Sequence, residues 1–224
     1  MSLNKTKCDP ELGLAVQAHL ESIGLATPMV PNGLSAKQKV TKIEKHFTEI
    51  MNTLGLDLTD DSLMETPLRI AKMFTNEVFW GLEPENFPKC TAVGNKMNYD
   101  EMLIEKNVSV KSFCEHHWLP LVGTATIAYF PSDKVLGISK LSRVVEYYSR
   151  RPQIQERLTE QIYHALCFIL GTDDVAVLID AEHSCVSMRG AEDDGASTIT
   201  SKLGGKFRTD PSIRSEFMHL STYK

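Results

Sequence analysis

A thiol, a carboxylate and two imidazoles stand side by side at Cys114-Glu115-His116-His117, and a second cluster, His183-Ser184-Cys185, follows near the end of a β-like run. Cys114, His117 and Cys185 form the soft nitrogen and sulfur set that zinc prefers. Three protein ligands leave one coordination position for water, which distinguishes a catalytic from a structural zinc site. His116 and His183 remain beside that set as candidate acid/base imidazoles. The Cys114–His117 spacing suits a turn aiming both side chains at one ion, and His183 and Cys185, two apart on a strand, would face one side. Cys185 lies 68 positions beyond His117 (185 − 117), so only the fold can unite the clusters.

Two blander readings compete. Thiols are common small core residues, and neighbouring histidines are often surface groups. Three soft ligands flanked by two unliganded imidazoles favour the metal. A fourth cysteine near either cluster is missing, which counts against structural zinc, and the H-x-E…P-C-x-x-C pattern of zinc deaminases is absent.

Basic residues gather nearby in sequence. Ser139, Lys140 and Arg143 open a helix whose free N–H groups already favour an anion. Arg189 follows the second cluster and Arg69 sits far upstream, whereas Arg150 and Arg151 read as solvated surface groups. Gln155 and Glu156 begin a long helix. A carboxylate there compensates the helix dipole, or accepts paired hydrogen bonds from a planar donor edge such as guanine N1–H and N2–H₂.

The elements that must position these groups fall into two parts. Up to about residue 95 the pattern is helical. Asp9-Pro10 caps a helix carrying Leu14, Ala15, Leu20 and Ile23. Ser35 caps a second with Val40, Ile43, Phe47, Ile50, Met51 and Leu54 on one side. Thr66-Pro67 opens a third, running with Ile70, Met73, Phe74 and Val78 inward to Gly81. From about residue 96 to 224 the order becomes strand (102–113), strand (121–130), helix (141–148), helix (154–169), strand (175–188), and a further strand at 197–201. That order predicts an α+β domain, an antiparallel sheet with two helices on one face, after an N-terminal helical region at 1–95.

Composition bounds the function. The chain has 224 residues, 42% hydrophobic and 24% charged, with a net charge of −5. This acidity argues against a general nucleic-acid binder. No apolar run approaches a membrane span, and the first residues lack the apolar core of a signal peptide, so a cytoplasmic protein without membrane contact is expected. Five dispersed cysteines suit thiols or metal ligands in a reducing compartment.

Taken together, Cys114-Glu115-His116-His117, the run Arg150-Arg151-Pro152-Gln153-Ile154-Gln155-Glu156-Arg157 and the run from Asp180 through His183 and Cys185 to Arg189-Gly190 resemble the GTP cyclohydrolase I family. The stretch from Asp60 to Ala71, with Glu65-Thr66-Pro67-Leu68-Arg69, and Gly204-Gly205-Lys206-Phe207 add to the likeness, which spans roughly 35–220. The resemblance implies the tunnelling fold, assembled as two stacked pentameric rings, a homodecamer with active sites between subunits. It implies a zinc ion on Cys114, His117 and Cys185, and His116 and His183 as the acid/base pair. Glu156, beside Gln155, would read the guanine, and Arg69, Ser139, Lys140, Arg143 and Arg189 would contact the triphosphate. The implied reaction takes GTP and water to 7,8-dihydroneopterin triphosphate and formate, the first step of tetrahydrofolate and pterin formation. The alternative is a zinc-containing oligomer of the same fold acting on another purine or pterin ring.

Overall fold

The computed structural model describes residues 3–222. Helix α1 (Pro10–Ser22) starts where Asp9 accepts the Leu12 N–H at 3.1 Å, with proline in the first turn, and α2 (Ala36–Thr53) starts on a reciprocal Ser35–Gln38 capping box. Both starts match the sequence reading. Of the apolar residues that reading places on α1 (Leu14, Ala15, Leu20 and Ile23), Leu20 alone is buried. Gly13, Val16 and Leu20 face inward, while Leu14 is 53% and Ile23 42% exposed. Gly13 lies so close to Pro84 and Phe87 that a Cβ would collide with them, and this contact sets which face turns in.

The third expected helix is not continuous. Regular α3 (Thr66–Lys72) widens into a π-helical stretch, Met73–Val78, before a short 3₁₀ turn at Trp80–Leu82. The wide turn is closed by Phe79 N–H donating to Phe74 C=O at 3.1 Å. It lets the Phe74 and Phe79 rings stack at 5.2 Å, and the indole of Trp118 meets both edge-on at 5.0 and 5.2 Å. The helical region therefore grips the turn that carries His117.

Past this region come the short β1 (Ala92–Gly94), the long β2 (Leu103–Cys114) and β3 (Pro120–Tyr129). Next are β4 (Lys134–Leu136), α4 (Ile138–Ser149), β5 (Pro152–Gln153), α5 (Gln155–Leu170), β6 (Val175–His183), α6 (Ser184–Ser187) and β7 (Ser197–Leu203). Strands β1 and β4 pair with each other, and the main sheet has the order β5-β2-β3-β6-β7. All its pairings are antiparallel except the two-residue parallel contact of β5 with the end of β2. Alternate residues Leu121, Ala125, Ile127 and Tyr129 of β3 and Val175, Val177, Ile179 and Ala181 of β6 turn to one face. There they meet Leu141, Val144, Val145 and Tyr148 of α4 and Leu158, Ile162 and Leu166 of α5. This is the expected α+β plan, the tunnelling fold with two long helices on one face. The sequence reading places no element after residue 201. The chain there forms α7 (Gly205–Thr209) and α8 (Pro211–Thr222), which set Phe207 and Phe217 on the opposite face against Ala128, Phe130 and Ala176.

Arg151 overturns the expectation of a solvated surface group, being 2% exposed. Its guanidinium donates to Thr27 Oγ1 at 3.1 Å and to the Gly81 carbonyl. It lies over the Tyr147 and Tyr148 rings, 4.7 and 4.9 Å from their centroids. Two aromatic faces and two oxygen acceptors thus replace the water this cation gives up, although its Nε–H has no partner among the described residues. Burial pushes the Tyr147 and Tyr148 phenols up, against the pull of the Arg151 charge, so both rings stay neutral beneath it. Arg151→Ala should lower stability by about 3–5 kcal/mol, from a side-chain-sized cavity plus the loss of the charged donor to the buried Gly81 carbonyl. Urea unfolding followed by tyrosine and tryptophan fluorescence checks this, and a loss within experimental scatter would contradict it.

Candidate metal centre and active site

Strand β2 ends at Cys114, and the chain reverses at once. The Trp118 N–H donates to Cys114 C=O and the Cys114 N–H to Leu119 C=O, both at 2.9 Å. Trp118 takes a left-handed φ of 54°, uncommon for a bulky residue and held here by its ring contacts with Phe74 and Phe79. The turn presents His116 and His117 at the sheet's end. Strand β6 arrives at the same end with His183. Cys185 is on the following helical turn, α6, not on the strand, so His183 and Cys185 do not share a face as the spacing suggested.

The outcome still joins the three soft ligands. One ligand atom each from Cys114, His117 and Cys185 lies within 4.8 Å of the other two. Cys114 is buried, Cys185 half-buried and His117 exposed, so the group opens to solvent on one side. Burial pushes the Cys185 thiol up, and the neighbouring Cys114 thiol adds to the shift. Two thiols and an imidazole converging on one point suit a tetrahedral N/S ion with its fourth position toward solvent.

His183 leaves the cluster and donates from Nε2 to Gln155 Oε1 at 2.8 Å. Burial lowers its pKa, and the Glu156 charge opposes the shift. Gln155 is 2% exposed. Its Nε2 donates to Thr198 C=O at 2.8 Å, Thr200 Oγ1 at 3.1 Å and Ile179 C=O at 3.2 Å. Both ends of the amide are engaged by the protein, and the oxygen fixes which His183 nitrogen carries hydrogen. Glu156, in the first turn of α5, is exposed beside this pair. The exposed His116 keeps Nδ1 3.8 Å from Cys114 Sγ and Nε2 3.9 Å from Glu115 Oε1.

The cationic residues divide. Arg189 donates from Nη1 to His117 Nε2 at 3.1 Å and belongs to the cluster. Arg69 is exposed, pairs with Glu65 at 2.8 Å, and lies one helical segment before Phe74, which touches Trp118. Ser139 and Arg143 instead line a separate cavity of about 330 Å³ with Lys7 and Glu146, and Lys140 flanks them on the same first turns of α4. Ser142 of that helix donates to Glu105 Oε1 at 2.7 Å. Glu105 and Cys114 are nine residues apart on β2, on the order of 25–30 Å along a strand. That cavity is lined by no residue of the Cys114–His117–Cys185 group.

One pair with a direct bearing on the turn was not singled out from sequence. Arg157 donates to Glu115 Oε2, and its Nε donates to Gln153 Oε1 at 3.3 Å. The available signal was the acidic residue inside the Cys-x-His-His run, which needs a cationic partner when partly buried.

The family model described as GTP cyclohydrolase I matches residues 43–222. GTP cyclohydrolase 1 of Aeromonas salmonicida (strain A449) is 54% identical over 205 residues, 92% of this chain and 94% of that one. The protein of the same name from Shewanella amazonensis is 52% identical over 209 residues, covering 93% and 97%. A solved dihydroneopterin aldolase from Burkholderia thailendensis bound to guanine superimposes at a TM-score of only 0.33, with 17% identity over 50% of this chain and 97% of that one.

The approach of the two thiols is directly testable. Mild air oxidation of the metal-free protein should join Cys114 to Cys185 and reduce the free-thiol count by two, with Cys8, Cys90 and Cys167 still titrating after denaturation. Five free thiols after oxidation would place Cys114 and Cys185 apart.

Proposed function

The chain belongs to the GTP cyclohydrolase I family, and from that premise we propose that it converts GTP and water to 7,8-dihydroneopterin triphosphate and formate at a zinc site on Cys114, His117 and Cys185. The observation that carries this reading is the convergence of those three ligand atoms within 4.8 Å, with His183 and Glu156 adjoining at the start of α5. The donor set fits zinc, since two thiols and one imidazole make a soft set with room for a fourth ligand. Zinc bound there supplies Lewis acidity that lowers the pKa of a coordinated water toward neutrality.

The protein groups carry the rest. Glu156, exposed and without a lysine or arginine ion pair among the described residues, accepts guanine N1–H and N2–H₂ and thereby fixes which ring carbon faces the cluster. His183, its ring locked by Gln155, and His116, on the solvent side of the turn, exchange protons with the ring nitrogen and the leaving formyl group. Imidazole suits this work because its pKa lies close to the operating pH. Opening of the imidazole ring releases C8 as formate, and the ribose carbons then rearrange and close the six-membered pterin ring. Arg189 and Arg69 hold triphosphate from the chain that carries the cluster. Ser139, Lys140 and Arg143, at a cavity that shares no lining residue with the cluster, serve a neighbouring subunit's site. A ring-based homo-oligomer, the decamer of two pentameric rings, meets that requirement. The open flank of β2 beyond its short pairing with β5 and the edge strand β7 are the surfaces that would close it. Among the described residues no helix is long and apolar enough to cross a membrane, and a cytoplasmic setting accords with the unpaired cysteines.

Incubation with GTP, assayed for formate and for pterin fluorescence after oxidation, tests the reaction. Absence of both from zinc-loaded protein would refute it. Glu156→Gln replaces an acceptor with a donor facing a donor, and should cost roughly 2–4 kcal/mol in kcat/KM at unchanged zinc content. His117→Ser and Cys185→Ser should lose zinc and activity together. His116→Ser and His183→Ser should keep zinc while turnover falls roughly 10²–10⁴-fold. Zinc lost from His183→Ser but retained by Cys185→Ser would reverse the ligand assignment.

A further inference from the structure

A chain of buried amides runs from the N-terminal segment to the metal turn. Thr27 follows α1 and lies before the stretch that the family model matches. Gln161 Nε2 donates to Leu25 C=O at 2.7 Å and to Thr27 Oγ1 at 3.3 Å. Gln161 Oε1 accepts from Gln153 Nε2 at 2.8 Å, and Gln153 Oε1 accepts from Arg157 Nε at 3.3 Å. Arg157 then grips Glu115, and the Glu115 N–H donates back to Gln153 C=O at 2.9 Å. Gln153 and Gln161 are 1% and 0% exposed, so water offers them no substitute partners.

We propose that this relay, Thr27–Gln161–Gln153–Arg157–Glu115, makes Arg157 and Gln161 positioning residues for the turn bearing His116 and His117, so that the segment after α1 is part of the catalytic apparatus. Each amide uses its oxygen for one neighbour and its nitrogen for the next, which fixes both flips and gives the chain one consistent direction. Arg157 is the junction. Its planar fork satisfies Gln153 and Glu115 together, which a lysine's single ammonium at that distance does not do in the same geometry. The Glu115 oxygen that Arg157 leaves free is the one 3.9 Å from His116 Nε2. A shift of the carboxylate therefore moves the turn at the point where proton transfer is proposed, and a displacement near 1 Å is enough to cost orders of magnitude. The inference takes the GTP reaction as its premise.

The test uses zinc-loaded, assembled protein. Arg157→Met should lower kcat about 10–100-fold, the usual loss when an outer partner of a metal site is removed. KM for GTP and zinc stoichiometry should stay near those of the parent, and Arg157→Lys should recover part of the rate. Thr27→Val, at the far end, should lower kcat in the same direction by a smaller factor. Hydrogen exchange supplies a readout independent of turnover. Amides 115–118 should exchange faster in Arg157→Met and Thr27→Val, with α8 unchanged. The double variant Arg157→Met/Glu115→Gln should be no slower than the slower single variant, because both cut one link. If Arg157→Met fails to assemble, Glu115→Gln, which cuts the same link from the other side, carries the same kcat and exchange expectations. Parental kcat in the variants, losses confined to KM or tracking zinc loss, or unchanged exchange at 115–118 would overturn the relay while leaving the activity intact. A parent that releases no formate from GTP would instead remove the premise, and the relay's catalytic role with it.

Discussion

The candidate metal site depends on the register of β3, the strand between the two that lead to Cys114 and Cys185. Leu121 pairs with Ser112 of β2 on one side and with His183 of β6 on the other. Both flanking strands are antiparallel to β3, so they run parallel to each other and end at the same edge. Cys114 lies two residues beyond one partner, and Cys185 two residues beyond the other. A one-residue slip would displace a ligand by about 3.3 Å and turn every side chain of the strand to the opposite face. The inward set Leu121, Ala125, Ile127 and Tyr129 resists that slip, because it would carry Leu121 out of the core to the face where Val122 is 49% exposed. Gly123 reinforces it. Opposite Ala181, it has no room for a Cβ, which would fall inside contact distance of Asp180 C=O and the Ala181 backbone.

Fixing the strands brings the clusters together but does not orient the imidazoles, and this explains the unusual polarity of the helix–sheet interface. Arg151, Gln153, Gln155 and Gln161 are all essentially buried. Apolar residues of similar volume would satisfy packing without risk of an unpaired donor. The amides do something apolar groups cannot, which is to hold a neighbouring group at a defined angle. Gln155 does so for His183 by spending its nitrogen on the β6–β7 edge and its oxygen on the ring. A similar arrangement holds Glu115, beside His116, through Arg157 and Gln153.

Much of this was legible in the chain. Caps at Asp9 and Ser35, the proline start at Thr66-Pro67 and the glycine stop at Gly171 are local signals whose physics does not depend on the rest of the fold, and they appear where read. The soft-ligand set was legible for a different reason, since thiols and imidazoles at such spacings have few other uses. What escaped the sequence depends on distant partners. Arg151 reads as a surface cation because its acceptors, Thr27 and Gly81, lie 124 and 70 residues away. The π-helical widening after Lys72 follows from the need to pack Phe74 and Phe79 on Trp118, a contact invisible to periodicity. Cys185 was placed on a strand because its apolar run continues past His183, and only the sheet's end decides where pairing stops. Helix α8 escaped because Phe207 and Phe217 are too sparse to set a period, yet they bury against a face the strand pattern leaves half apolar.

The separation within one chain then acquires a structural meaning. Helix α4 lies along β2, with its cationic start near Glu105 and its end near Arg150, whose carbonyl accepts the Gly81 N–H at 2.9 Å. The strand that ends in the candidate metal ligand Cys114 therefore carries an anion-attracting helix start toward its opposite end. The cavity at that helix start shares no lining residue with the cluster. If both ends serve one ligand, they belong to different subunits, and the sheet must continue from chain to chain so that one subunit's helix start meets another's cluster. The surfaces required for this are those the fold leaves unpaired: the flank of β2 that β5 covers for only two residues, and the outer edge of β7. Closing those edges removes exposed backbone donors and acceptors and completes the proposed site by the same contact, so that assembly and catalysis would share one geometric condition.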